Sequence, residues 1–226
     1  MPSFFNSRKR RHERLLQETF AARHRFFSSL GEVQSDGIGK FISSRLSGGP
    51  SWPSGREFFL VIKRGNHTML ASDGLSDPFD EGDADDQGFG LEFIIESSDP
   101  VPVDAASWAS EILDEICLNA ADVGDLRSRF ERLGLMTMEL PWEQSWEGWT
   151  NEHQRLGILL GSYTPGLPKT FALPKGDALL ITIKLLRPAE LKYAIEYKQA
   201  GRERLAELFC AAGSCHVCSL NRPSVI

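Results

Sequence analysis

The sequence predicts an α/β (α+β) fold in which helices accompany an antiparallel or mixed sheet of at least three strands. Three observations carry this. Leu91, Phe93 and Ile95 alternate with Glu92, Ile94 and Glu96, the period-two signature of a strand with one strongly apolar face. Leu179, Ile181, Ile183 and Leu185 alternate in the same way, with Thr182 and Lys184 opposite. Residues 8–30, 104–119 and 188–213 instead place their apolar residues at helical spacing.

Within Arg8 to Leu30, Leu16, Phe20, Phe27 and Leu30 fall near one helical face. The segment opens with Arg8-Lys9-Arg10-Arg11, and residues 1–25 carry seven Lys/Arg against two Glu. Cations at a helix start oppose the helix dipole, so this run reads as a solvated first turn rather than a nucleic-acid patch. Gly31 to Gly55 is rich in Gly, Ser and Pro and reads as a linker or irregular loop that Trp52 pins to the body. The division expected is therefore 1–55, an N-terminal helix with its linker, and 56–226, the main domain. Glu57 to Lys63 and His67 to Ala71, joined through Arg64-Gly65-Asn66, form a hairpin pattern.

Asp73 to Gly90 passes from a turn into an acidic loop. Gly88 and Gly90 flank Phe89 at the entrance of the strand at Leu91, which suits a bulge or a close backbone approach. Pro100 and Pro102 break the chain, and Asp104 is the N-cap expected for a helix through Asn119. A short helix from Asp125 to Leu133 ends at Gly134, and Leu135 to Leu140 reads as a strand stopped by Pro141. Leu156 to Leu160 resembles a short buried strand, and a loop with Pro165, Pro168 and Pro174 follows. The last helix starts at Pro188, a preferred first-turn proline, with Gly201 as its expected break.

A net charge of −6 argues against nucleic acid or an anionic membrane as the partner. There is no apolar run of membrane-spanning length and no signal-peptide core, and the four cysteines are too sparse for a secreted disulfide framework. The expected setting is reducing and cytoplasmic. Cys215-His216-Val217-Cys218 is half of a zinc site without a second pair, so no metal or cofactor is expected. The acidic loop lacks the bidentate Glu at the twelfth position of an EF-hand: counted from Asp80, Leu91 stands there. No nucleophile elbow, HExxH pair, P-loop or GxGxxG occurs. Of the five histidines, His153 beside Glu152 is the one placed for acid–base work, and a hydrolase or transferase site around it is the alternative reading.

Two segments fit a partner-binding surface. Trp142, Trp146 and Trp149 gather three of the five tryptophans, as aromatic anchors do at interfaces, although three anchors capping the core fit the same spacing. Asp80, Glu81, Asp83, Asp85 and Asp86 supply a charged rim that would attract a basic partner. The expectation is one surface shared by the two.

DGLSDPF (Asp73 to Phe79), GFGLEFIIE (Gly88 to Glu96), Ser107-Trp108, GILLG (Gly157 to Gly161), LLITIKLLRPAEL (Leu179 to Leu191) and NRPSV (Asn221 to Val225) together resemble the suppressor of fused domain family. The likeness spans residue 56 to the end. It implies an α/β domain whose mostly antiparallel or mixed sheet is flanked by helices, and a non-enzymatic protein that binds protein partners. Animal members of that family clasp an extended peptide of a transcription factor. Bacterial single-domain members are thought to act as immunity proteins against toxins, and this chain resembles the bacterial type. It departs from the animal pattern at Gly134-Leu135-Met136, near where those members carry the acidic residue that grips the peptide. The animal contact is therefore not carried over.

Overall fold

A computed structural model describes residues 3–40, 44–80, 86–142 and 146–226. The first helix, α1, runs Ser3–Leu30, and two short strands follow, β1 (Glu32–Val33) and β2 (Ile38–Gly39). A 3₁₀ turn at Ser44–Ser47 leads to β3 (Phe58–Arg64) and β4 (His67–Ser72), the expected hairpin, and then to β5 (Leu91–Ser97). Helices α2 (Trp108–Val123) and α3 (Leu126–Leu133) precede β6 (Met136–Pro141), β7 (Arg155–Leu160), β8 (Thr170–Leu173) and β9 (Gly176–Leu186). The chain closes with α4 (Pro188–Glu196), α5 (Lys198–Ala211) and an irregular tail.

These strands build one mixed, mostly antiparallel sheet in the order β1-β3-β4-β5-β9-β7-β6, with β2 beside β3 and β8 beside β9. The parallel pairing is β5 with β9, with Leu91 opposite Leu179. β5 thus lies in the middle of the sheet.

Side-chain alternation divides the sheet into two faces, and both are covered. Leu91, Phe93, Ile95, Ile181, Ile183 and Leu185 point into the core beneath α2. Full burial of such side chains contributes roughly 1.5–3 kcal/mol each, which makes this face the main source of stability. The opposite face meets α1 at its Phe27, Leu60, Ile94 and Leu180 end, and α4 and α5 at its Leu159 and Leu186 end. Glu92, Glu96, Thr182 and Lys184 lie on that second face and are buried as well. The polar half of the alternation therefore faces helices rather than water.

Four local readings are corrected. The Gly31 to Gly55 stretch contributes β1 and β2, both paired with β3, and Gly31 and Gly37 lie so close to that strand that a Cβ would strike it. The cap of α2 is Ser107, whose hydroxyl accepts from the Ser110 amide at 3.3 Å; Asp104 instead offers its carbonyl to the Ser110 hydroxyl. The proline-bearing loop hides β8, whose buried Phe171 stacks on Phe26 of α1 with centroids 4.5 Å apart. The last helix breaks at Tyr197–Lys198, where Lys198 has φ +51°, and not at Gly201. Gly201 serves the crossing of α4 and α5: a Cβ there would lie 2.9 Å from the Tyr193 carbonyl.

Candidate functional site

The motifs that stand out in the sequence fold into three ion clusters, and each ties a distant segment to the sheet. In the first, Arg23 of α1 is fully buried. Its Nε donates to Asp73 at 2.6 Å, and its Nη1 donates to Asp77 at 2.7 Å and to Ser76 at 3.1 Å. Glu92 of β5 lies 3.5 Å from the same nitrogen and accepts from the Ser72 and Ser76 hydroxyls. Arg56 reaches the other oxygen of Asp73 at 2.6 Å. Burial pushes the Glu92 carboxyl up to about 7 against the pull of Arg23 and the serine donors. Burial opposes the charge on Arg23, but Glu92, Asp77 and Asp73 outweigh it and hold the guanidinium above its ordinary range. The aspartates of DGLSDPF thus clamp the N-terminal helix.

In the second cluster Glu96 receives Arg64 at 3.0 Å, His67 at 2.8 Å and His216 at 2.9 Å. Burial would raise its carboxyl, but these partners bring it down to about 2. His216 passes the connection on: its Nδ1 accepts from the Thr164 amide at 3.2 Å and lies 2.8 Å from the Thr164 hydroxyl. Carboxylate, imidazole and hydroxyl in a row are the parts of a nucleophile relay. Here the ring nitrogen that would serve as base is already engaged by the backbone amide, and the ring is 1% exposed, so the row works as a tether for the Thr164 segment.

The third cluster explains RPAEL and NRPSV together. Glu190 at the start of α4 accepts from Arg222, from the Ser224 hydroxyl at 3.2 Å and from the Val225 amide at 2.9 Å. Arg187 and Arg222 both lie over the Trp149 ring, Arg187 at 4.0 Å, and the Trp149 indole donates to the Leu220 carbonyl.

The described residues of the two segments expected to share a binding surface lie apart. Of the acidic loop Asp80 and Asp86 are described, and Asp86 stands five residues before β5, which begins at the Leu91/Leu179 end of the sheet. Trp142 follows β6 at the end where Leu156 and Leu186 lie. Seven residues of β9 separate those ends, about 23 Å at about 3.3 Å per residue. Trp142 and Trp149 are buried, and Trp146, partly exposed, packs on Trp142 and Trp108 with centroids 5.0 and 6.0 Å away. The tryptophans of this segment cap the core. Asp80 approaches His12 of α1 at 3.7 Å, and Asp86 accepts from the Phe79 and Gly88 amides and folds its end of the loop inward. Glu81, Asp83 and Asp85 lie outside the described residues. His153 lies on the surface, its side chain 75% exposed and 3.6 Å from Glu152, without the enclosure that acid–base work requires.

The cysteines also depart from the expected four thiols. Cys210 and Cys215 are joined as a disulfide, and Cys117 and Cys218 are free and buried. Among the described residues no three His, Cys, Asp or Glu side chains gather as a metal site, and no helix is long and apolar enough to cross a membrane.

The concave surface that sequence reasoning missed is a groove of about 920 Å³ where β6 begins. One wall is the turn Leu133–Leu135 with Glu131, the floor is the 161–167 segment that links β7 to β8, and the other wall is α5 with Glu203 and Glu207. Gly161 permits the close approach: φ is +89°, and a Cβ would run into the Gly134 carbonyl and the Phe130 ring. At the base the Ser162 hydroxyl, 1% exposed, has no hydrogen-bond partner among the described residues. β6 is the terminal strand, and among the described residues no strand pairs with its outer edge. No single motif marks this place in the sequence, because its parts come from four segments spread over eighty residues.

No family's sequence pattern matches the chain, and no curated protein matches it. Solved structures do. A chain of the Sufu–Fu complex crystal structure aligns over 93% of this chain and 92% of its own, with a TM-score of 0.60 and 16% identity. The crystal structure of Drosophila Suppressor of Fused aligns over 70% of this chain and 39% of its own, with a TM-score of 0.44 and 19% identity. The first of these shows that the chain has a suppressor of fused-like fold.

Proposed function

We propose that this chain is a non-enzymatic protein-binding module that takes an extended segment of its partner in the groove beside β6. The observation that carries the reading is the groove itself: apolar Leu135, Leu167 and Tyr163 line it with an unpartnered Ser162 hydroxyl at the base, and β6, which begins next to Leu135, has an outer edge that no strand pairs with among the described residues. An unpaired strand edge offers main-chain hydrogen bonds, and adjacent pockets for alternate side chains provide selectivity. Glu131, Glu203 and Glu207 outnumber Lys169 on the rim, which favours a basic segment. These acids stand beside the Gly134 to Met136 stretch that lacks the acidic grip of animal members. The partner bound in the Sufu–Fu complex supports a protein ligand in kind, not in identity.

The finer reading is a cytoplasmic immunity protein that neutralises a basic toxin by occluding it. The net charge of −6 supports it, since complementary charge raises the association rate. Affinity capture from the native host followed by mass spectrometry tests both levels. The wild-type chain should enrich a basic protein, and the Glu203→Lys/Glu207→Lys double variant should lose it. Equal recovery with both baits would refute the groove, and recovery of an acidic protein would refute the toxin reading.

A further inference from the structure

We propose that the Cys210–Cys215 disulfide is a redox latch that sets the mobility of the groove floor. The consequence for partner binding rests on the groove reading above; the exchange chemistry does not. Cys210 stands in the last turn of α5, lines the groove and places its Sγ 3.7 Å from the Tyr163 carbonyl of the floor. Cys215 lies five residues on, beyond a tight turn in which the Ser214 and Cys215 amides both donate to the Phe209 carbonyl, at 2.9 and 3.1 Å.

Cys215 has φ +32°, a left-handed conformation that a non-glycine residue keeps only where its surroundings impose it. The cross-link is one such restraint. The next residue, His216, is the tether that holds the Thr164 amide and hydroxyl. One covalent bond thus fixes the end of α5, the turn and the anchor of residues 161–167. Opening it frees the turn and slackens the hold of His216 on Thr164 of the floor.

The chemistry needs a dithiol reductant. Its thiolate attacks Cys210 Sγ, the sulfur on the groove side; the Sγ–Sγ bond breaks, and Cys215 leaves as a thiolate that takes a proton. The second thiol of the reductant then displaces Cys210 from the mixed disulfide. The protein gains two electrons and two protons, and the reductant becomes a disulfide. Cys117 and Cys218 stay out of this exchange, because burial pushes both thiols up and leaves little thiolate. In a reducing compartment an intramolecular pair of this kind is transient and sensing rather than structural.

The test uses the full chain with dithiothreitol as reductant and oxidised glutathione as oxidant. After denaturation, maleimide labelling read by intact mass should count two thiols in the oxidised protein and four in the reduced one. Hydrogen exchange at residues 161–167 and 210–216 should quicken by about tenfold on reduction, with β4 and β5 unchanged. A Cys210→Ser/Cys215→Ser variant should show the fast rate in either buffer. A count that stays at four after oxidised glutathione would overturn the latch. So would a floor whose exchange is equal in both states, and that result would leave the groove reading intact. Quickened exchange together with identical partner capture in both states would refute the regulatory consequence.

Discussion

Replacing Arg23 by Met should unfold the clamp between α1 and the sheet, and the size of the effect should depend on pH. The substitution keeps an unbranched apolar stem but removes the cation from Asp73, Asp77 and Glu92, whose side chains are at most 1% exposed. Deleting one partner of a buried, hydrogen-bonded ion pair costs about 3–5 kcal/mol. In a domain of this size each kcal/mol lowers Tm by roughly 2–4 °C, so a fall of about 6–20 °C is expected. The pH dependence follows from Glu92. Its folded carboxyl titrates near 7, above its ordinary value, so the folded state holds a proton that the unfolded state has released. The contribution of Glu92 to stability is therefore complete below about pH 4.5 and is lost as the pH rises through about 7. Without Arg23 only the serine hydroxyls and backbone amides offset the burial of that charge, and the loss extends to higher pH. Urea unfolding followed by tryptophan fluorescence should give a larger R23M deficit at pH 8 than at pH 5. Adding Glu92→Gln should recover part of the deficit at pH 8. A deficit below about 1 kcal/mol, or one equal at the two pH values, would refute the buried-charge argument.

Other perturbations follow from the remaining clusters. Glu190→Gln removes the charge that gathers Arg222, Ser224 and the Val225 amide; about 3–5 kcal/mol of stability should go with it, and the tail after Leu220 should become the first site of proteolysis. Glu96 is held near 2, so its contribution is present above about pH 4.5 and is lost as the pH falls toward 2; His216→Ala should raise the midpoint of acid unfolding, and an unchanged midpoint would show that the tether does not hold the carboxylate down. Gly88→Ala places a Cβ against the Asp77 carbonyl and 2.7 Å from the Leu75 carbonyl at φ +56°; it should cost about 2–4 kcal/mol by denaturant unfolding, and a neutral result would contradict the close approach described at the entrance of β5.

Elements with a strong period were legible before any coordinates. β5 and β9 announce themselves by alternation, α1 by its apolar face, and Gly88 and Gly90 by their placement before a strand. The hairpin of β3 and β4 follows from its turn. β8 was concealed because four residues between prolines carry too little pattern, and β1 and β2 because two-residue strands carry none. The DGLSDPF motif was visible, but its role was not: Asp73 and Asp77 are defined by an arginine about fifty residues upstream. The same holds for Glu190 and Arg222, thirty-two residues apart and in direct contact. The tryptophan segment misled because spacing cannot separate an exposed wall from a buried cap. Trp149 lies under two arginines, and Trp142 and Trp146 close the α2 side of the core. His153 drew attention by standing beside an acid in sequence, whereas His216 finds its acid 120 residues away.

Site-specific photo-crosslinking in the native host tests the central claim most directly. A photoreactive side chain at Glu207, on the groove wall, should trap one dominant basic protein. The same group at Glu152, at the opposite end of the sheet, should trap none. Equal adducts at both positions, or an adduct at Glu152 alone, would contradict a groove-centred partner site.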